Sequence, residues 1–247
     1  MTDDIPAALF TFFEAMPRQG PGADAITAAL FERFRPLLPD SIAAADMGCG
    51  SGSAALVLAE KGCAVTGVDI HPPFLDALSR EAAARHLEVG TLCASMLDSG
   101  LPEQSLDLVW SEGAVFTVGF DAALDEFQRL LRPGGIAVVS ECSWFVRHPA
   151  LEAAEFWATA YPGMRSVGGN VLACEDHGWR ILHTERLPSA VWEEGFYGPM
   201  QALCERLAPD ADAEMAAMIE ENIAEIALFR AHHQAYGYIF YGLQKLG

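Results

Sequence analysis

The sequence predicts an α/β fold in which helices cover both faces of a mainly parallel sheet. Apolar stretches of strand length alternate with stretches of helical periodicity from residue 41 to residue 145. The strand stretches are apolar at nearly every position, as expected when both faces of a strand are buried. A glycine-rich turn separates the first of these strands from the next helix, a position at which open α/β sheets bind nucleotides.

Local signals mark the individual elements. Proline at the start favours a helix over residues 72–86, and the sequence RPGG ends a helix over residues 121–132. The other predicted helices cover residues 3–15, 23–36, 53–62, 151–161, 198–207 and 211–232. The predicted strands cover residues 41–46, 63–70, 89–95, 106–111, 135–145, 179–188 and 235–244.

Composition narrows the possible partners. The 247 residues are 51% hydrophobic, which is enough for a sizeable core, and the formal net charge of -19 disfavours nucleic acid and anionic lipid as partners.

The acidic start MTDDIPAALF lacks a leader pattern, and no apolar run has the length of a membrane span, so we expect a cytoplasmic protein. Six cysteines without C-x-x-C spacing are expected to be buried thiols, with no metal site. Either a monomer or a homodimer fits this composition.

The glycine-rich turn reads ADMGCGSGS over residues 45–53. A dinucleotide fingerprint, G-x-G-x-x-G, would place its third glycine at Ser53, whereas here the pattern is D-x-G-x-G-x-G and the third glycine is Gly52. This spacing disfavours a pyrophosphate ligand. Asp69 ends the second strand, 21 residues after Gly48, where a carboxylate can bind both hydroxyls of a ribose; the alternative is that it caps the next helix.

Four segments in order, ADMGCGSG, TGVDI, SLDLVWSEGA and LRPGGIAVVSE, resemble the successive signatures of class I S-adenosylmethionine-dependent methyltransferases. The resemblance covers roughly residues 40–145 and is closest to bacterial small-molecule methyltransferases related to the ubiquinone/menaquinone group. It implies a Rossmann-like, doubly wound, mostly parallel sheet of seven strands in the order 3-2-1-4-5-7-6, with the last strand antiparallel. We expect a single domain over residues 1–247, comprising a helical arm (1–38), a cofactor-binding core (39–145) and an acceptor-side cap with the final strands (146–247).

The resemblance also implies the cofactor, S-adenosylmethionine, its product S-adenosylhomocysteine, and roles at matching positions. The glycine turn would lie under the methionine part, Asp69 would bind the ribose and Ile70 would contact the adenine. Where many relatives carry an aspartate that binds the adenine amino group, this chain has Ser95, a weaker neutral acceptor, with Asp98 as an alternative. The expected cofactor-binding set is Asp46, Gly48, Cys49, Gly50, Gly52, Asp69, Ile70, Ser95, Met96, Ser111 and Arg18.

On the acceptor side, ligands of such a sheet bind beyond the C-terminal ends of the strands. Glu112 and Glu141 follow neighbouring strands and are the candidate catalytic bases or orienting groups; alternatively, each bonds nearby backbone N–H groups. The aromatic residues expected to line the acceptor pocket are Trp144, Phe145, Trp192 and Tyr197, unless they pack the cap helices. Arg18 suits a carboxylate of the acceptor or of the cofactor, unless it pairs with a surface acid.

The four segments PRQGPG, WSEGA, SECSWF and VWEEGFYGP should therefore meet above the reacting methyl group. The expected function is methyl transfer from S-adenosylmethionine to a small-molecule acceptor by in-line displacement. Two alternatives are a nucleotide-dependent oxidoreductase, which the glycine spacing disfavours, and a non-catalytic S-adenosylmethionine-binding sensor or partner subunit.

Overall fold

The computed structural model describes residues 7–246, which form one mixed sheet flanked by helices. The strands are β1 Ala43–Met47, β2 Ala64–Asp69, β3 Val89–Cys93, β4 Leu106–Ser111, β5 Leu131–Trp144, β6 Arg165–Ser166, β7 Trp179–Arg186 and β8 Tyr236–Lys245. The helices are α1 Ala7–Glu14, α2 Asp24–Phe34, α3 Ser53–Glu60, α4 Pro72–Ala84, α5 Phe120–Leu130, α6 Leu151–Ala160, α7 Val167–Asp176, α8 Ser189–Trp192, α9 Gly198–Leu207 and α10 Ala213–His232.

The strand order is β3-β2-β1-β4-β5-β8-β7, and β8 runs antiparallel to both of its neighbours. The short strand β6 pairs with the end of β5, at Ser143 and Trp144. The predicted fold class is confirmed, and the difference is one of count: the described residues contain eight strands, because β6 adds a two-residue strand that carries no sequence signal of its own.

Both faces of the sheet are buried, as the apolar strands predict. Along β4, Leu108 and Trp110 belong to one apolar cluster, while Val109 between them belongs to the other. Side chains of a strand alternate between its faces, so these two clusters lie on opposite sides of the sheet. Burying each large side chain stabilises the fold by about 1.5–3 kcal/mol, and the cores therefore hold the C-terminal strand ends rigidly.

The largest departures from the predicted elements follow β5. Helix α7 was not predicted because Gly168 and Gly169 in its first turn lower helix propensity. The segment predicted as a turn at 191–199 is helical: α8 continues through a π-helical turn, Glu193–Tyr197, into α9. The first four residues of the predicted helix 3–15 lie outside the described residues. Between residues 7 and 246, every helix is too short or too polar to cross a lipid bilayer.

Candidate functional site

A cleft of about 620 Å³ lies at the C-terminal ends of β1, β2 and β4. Its walls come from the glycine turn after β1, the end of β2, the loops after β3 and β4, and residues of the N-terminal segment (residues 7–22). Three exposed apolar side chains, Ile70, Leu97 and Phe116, all line it. Large apolar groups left open to water in one concave site indicate a surface that a ligand covers.

The glycine turn forms the floor of the cleft. Gly48, Gly50 and Gly52 all have positive φ, at 73°, 52° and 90°, a conformation that favours glycine. A Cβ on Gly48 would lie 2.4 Å from Ala114 Cβ, and one on Gly50 would lie 2.7 Å from Gln19 Oε1. Gly48 and Gly50 line the cleft, whereas a Cβ on Gly52 would lie 2.2 Å from Leu78 Cδ1. Gly52 thus allows α3 to pack closely against α4.

The backbone N–H groups of the turn are bonded within the protein. Gly48 and Cys49 donate to the Val68 carbonyl at 2.8 and 3.0 Å, and Gly52 donates to the Cys49 carbonyl at 2.9 Å. Gly50 donates to Asp69 Oδ2 at 2.9 Å, and Ser51 donates to Gln19 Oε1 at 2.8 Å. Phosphate-binding turns instead direct free N–H groups at the ligand. This turn allows close approach of a ligand but offers no ready site for a pyrophosphate.

Carboxylates dominate the polar part of the cleft. Asp46 is buried and accepts a hydrogen bond from the Ala55 N–H at 2.9 Å. Burial raises the pKa of Asp46 to about 8, and the negative charges of Glu112 and Asp69 act in the same direction. Asp69 Oδ1 accepts from the His71 N–H at 2.9 Å. Asp69 therefore orders both the glycine turn and the start of α4, in addition to lining the cleft.

Arg18 and Glu112 form an ion pair at one end of the cleft, with 3.1 Å between Arg18 Nη2 and Glu112 Oε2. Arg18 also pairs with the exposed Asp24 at 2.8 Å. The other oxygen of Glu112 accepts from Thr27 Oγ1 at 2.6 Å and from Trp110 Nε1 at 2.8 Å. Three donors therefore hold the Glu112 carboxylate in place.

The remaining predicted cofactor residues divide into two groups. Cys49, Ile70, Ser95 and Met96 line the cleft, whereas Ser111 does not. Ser111 is fully buried and donates to the Met47 carbonyl at 2.7 Å, tying β4 to β1.

Glu141 lies near the end of β5 and is 2% exposed, outside the lining of the cleft. Neither of its carboxylate oxygens has a hydrogen-bond partner among the described residues. Burial raises the pKa of Glu141 to about 8, although Tyr161 and Arg165 favour the charged form. The Tyr161 hydroxyl and the Cys142 backbone N–H lie close enough to favour the charged form, but neither meets the distance and angle of a hydrogen bond to the carboxylate. A buried carboxyl of this kind is a candidate acid–base group.

The four predicted aromatic residues lie outside the lining of the cleft. Trp192 and Tyr197 are 3% and 0% exposed and pack on Phe229 of α10, with centroids 4.9 Å away in both cases. Their predicted role as lining residues arose from reading a helical segment as a turn. The ring centroids of Trp144 and Tyr236 are 5.8 Å apart. The Arg186 guanidinium carbon lies 4.0 Å from the centroid of the Phe145 ring.

The four predicted segments nevertheless come together in part. A Cβ on Gly195 would lie 2.9 Å from the Gly22 carbonyl oxygen, and Gly113 donates to Ser140 Oγ at 2.8 Å. Tyr238 joins these contacts, because its ring lies 4.6 Å from Trp192 and would meet a Cβ on Gly113 at 3.2 Å. Trp192 and Tyr238 thus pack behind the loops that line the cleft, without lining it themselves.

Sequence reasoning placed the PRQGPG turn and Arg18 at the site but did not single out Gln19, Phe10 or Phe13. Gln19 accepts from both the N–H and the hydroxyl of Ser51, at 2.8 and 2.7 Å, and so fastens the N-terminal segment to the glycine turn. Phe10 and Phe13 also line the cleft. Nothing in the sequence distinguishes these residues from ordinary helix and turn positions. Among residues 7–246, no three His, Cys, Asp or Glu side chains are grouped to hold a metal ion.

Comparison with known proteins identifies the type of domain. A family model described as a methyltransferase domain matches residues 45–139. A malonyl-acyl-carrier-protein O-methyltransferase from Enterobacter lignolyticus strain SCF1 is 35% identical over 116 residues, 46% of this chain and 42% of the relative. A demethylmenaquinone methyltransferase from Tropheryma whipplei strain Twist is 32% identical over 113 residues, 45% of each chain. The matches thus span less than half the length of these two curated relatives.

A solved structure extends the comparison to the whole chain. The S-adenosylmethionine-dependent methyltransferase from Geobacter sulfurreducens, in complex with S-adenosylhomocysteine, matches with a TM-score of 0.82 and 19% identity, covering 97% of this chain and 98% of that one. At this identity the likeness shows the fold. The resemblance predicted from the sequence is therefore confirmed: the chain contains a methyltransferase domain and has the class I methyltransferase fold.

Proposed function

We propose that this chain, with its class I methyltransferase fold, transfers a methyl group from S-adenosylmethionine to a small-molecule acceptor. One observation carries the proposal: the cleft combines a turn of three glycines, whose N–H groups are already bonded, with the acidic side chains of Asp46, Asp69 and Glu112. Such a site suits a nucleoside that carries positive charge and lacks phosphate.

The residues present fit that cofactor. The missing Cβ atoms of Gly48 and Gly50 let Ala114 and Gln19 pack against the turn, and both glycines line the cleft. Asp69 presents to the cleft a carboxylate that two backbone N–H groups already orient, so its remaining lone pairs can accept from ribose hydroxyls. Ile70, Met96 and Leu97 supply the apolar surface that an adenine ring would cover.

When bound, S-adenosylmethionine supplies a methyl group activated by a sulfonium. The chain's own part is to orient it, exclude water and bind the acceptor. The N-terminal segment contributes to exclusion, because Gln19 holds it against the glycine turn and Phe10 and Phe13 face the cleft. Arg18 offers the cofactor's carboxylate a cation at the end of the cleft.

The two candidate catalytic acids differ in their environments. Glu112 accepts three hydrogen bonds, which fits a group that positions Arg18. Glu141 has no such partner, so it is the better candidate for taking a proton from an acceptor. The names of the two curated relatives imply chemically different acceptors, so they do not identify the acceptor of this chain.

Calorimetry and a transfer assay test the proposal. Purified protein is titrated with S-adenosylmethionine, S-adenosylhomocysteine and NAD, and we expect binding of the first two and none of NAD. Radiolabelled methyl donor is then incubated with a metabolite extract, and label should appear in a small-molecule product. Tighter binding of NAD would contradict the cofactor assignment. Cofactor binding without any labelled product would favour the non-catalytic sensor or partner subunit.

A further inference from the structure

Glu141 stands out among the buried polar groups because it carries an unpartnered carboxyl. Its side chain is 2% exposed, and neither oxygen has a hydrogen-bond partner in the part of the chain that the structure describes. Buried carboxyl groups are normally paired or hydrogen-bonded, since leaving them unpaired costs several kcal/mol. A group of this kind indicates a partner that belongs to the functional complex and is supplied from outside the chain.

The position of Glu141 places that partner next to the cleft. Ser111 of β4 pairs with Val139 of β5, and Gly113 and Glu141 each lie two residues further along. Gly113 lines the cleft. Two aromatic rings also link Glu141 to the cleft. Phe116 lines the cleft and is 41% exposed. Its ring centroid lies 6.0 Å from that of Tyr161, which adjoins Glu141. One aromatic pair thus stands between the open cleft and the unpartnered carboxyl.

The charges around Glu141 restrict what can bind there. Arg165, the cation that acts on the Glu141 charge, makes two hydrogen bonds to Asp121, at 2.8 and 2.5 Å. Arg18, the cation of the cleft, is shared between Glu112 and Asp24. An acceptor that carries a carboxylate or phosphate would therefore approach a buried acid without a free cation to balance it. An acceptor with O–H or N–H groups would instead satisfy the oxygens of Glu141.

We propose, on the basis of the function proposed above, that the acceptor is an aromatic or apolar compound whose hydroxyl or amino group donates to Glu141. The acceptor's ring packs against Phe116 and Tyr161, the aromatic pair between the cleft and Glu141. Above the Glu141 pKa of about 8 the side chain is ionised. As the acceptor's oxygen or nitrogen bonds to the methyl carbon, its O–H or N–H bond breaks and the proton passes to this carboxylate. The electron pair of the methyl–sulfur bond stays on sulfur, and Glu141 later releases the proton to solvent.

Three probes that share one ring test this inference: benzyl alcohol, benzylamine and benzoate. Each is titrated at pH 9, above the Glu141 pKa of about 8, into protein labelled with carbon-13 at the glutamate carboxyls. The titrations are run with and without S-adenosylhomocysteine, and binding is followed by NMR. The Glu141 resonance is assigned by its absence from Glu141→Gln. Glu155→Gln is the matched control, because Glu155 is an exposed acid on the neighbouring helix α6.

We expect benzyl alcohol or benzylamine to shift the Glu141 resonance and to bind roughly tenfold or more tightly than benzoate. Glu141→Gln should remove this preference, and Glu155→Gln should keep it. Equal or tighter binding of benzoate, an unchanged preference in Glu141→Gln, or no shift of the Glu141 resonance with any probe would overturn the inference. Failure of S-adenosylhomocysteine to bind in calorimetry would refute the proposed function separately, because the probe titrations are also run without it.

Discussion

Replacing Glu141 by glutamine should make the protein more stable, by an amount that grows with pH. The ordinary pKa of a glutamic acid side chain is 4.5, and burial raises that of Glu141 to about 8. Between these values the folded chain keeps a proton that the unfolded chain has lost. The free energy of unfolding of the wild type therefore falls by about 1.4 kcal/mol for each pH unit in this range. This loss of stability is absent below pH 4.5 and reaches its full value above pH 8.

The expected difference between Glu141→Gln and wild type therefore increases by roughly 3–4 kcal/mol from pH 5 to pH 8. Asp46 also has a pKa of about 8, but it titrates in both proteins and cancels from the difference. The titratable and charged groups facing Glu141 are Tyr161, Arg165, Cys142, Tyr238 and Tyr241. Each has a pKa raised from its ordinary value, so each keeps one protonation state over this interval.

Urea unfolding at pH 5, 6, 7 and 8, followed by circular dichroism, measures this difference. Glu155→Gln, which removes an exposed carboxyl from the neighbouring helix, serves again as the control. A Glu141→Gln difference that is flat across the series, or that shrinks as pH rises, would refute the reasoning. Either result would mean that a partner inside the folded chain compensates the Glu141 charge.

Three further changes test the cleft. Gly50→Val should abolish S-adenosylhomocysteine binding in calorimetry, while Gly62→Val, with φ of 85° and open space around it, suffers similar backbone strain but keeps native affinity. Asp69→Ala should weaken that binding by roughly 10-fold or more through lost hydrogen bonds; an unchanged dissociation constant would mean that Asp69 only orders the turn. Arg18→Ala should weaken S-adenosylhomocysteine binding by roughly tenfold, and Glu112→Gln should leave it within a few-fold; the reverse order would contradict the roles assigned to this ion pair.

The sequence was sufficient for the sheet up to β5, because each of those strands is a mainly apolar stretch ended by a local turn signal. The residues after β5 were harder to assign. Helix α7 was not predicted because it contains Gly168 and Gly169. The helix with a π-helical turn was predicted as a turn because of the glycines and the proline in GFYGP, which begins at Gly195. In both places tertiary packing overrides the local preference, as when Tyr197 and Trp192 pack on α10.

The site residues also divide into those marked by a local sequence signal and those that depend on tertiary contacts. The glycine turn and Asp69 could be found because their chemistry requires fixed spacing along the chain. Gln19 could not, because its contact with Ser51 depends on how the N-terminal segment folds over the sheet. Glu141 was recognised as a candidate from its place at a strand end. Its lack of a partner could only be seen in three dimensions, since it depends on the placement of Tyr161 and Arg165.

The bonds between Gln19 and Ser51 have a kinetic consequence. The residues that they fasten include Phe10 and Phe13 over the cleft, so a bound nucleoside cannot exchange until they are released. Two hydrogen bonds of about 1 kcal/mol each would slow this release by roughly 30-fold. Stopped-flow dissociation of S-adenosylhomocysteine should be faster by that factor in Gln19→Ala, and an unchanged rate would place the exit route elsewhere. How long the cleft stays loaded would then depend on its N-terminal cover, while the sheet determines what it holds.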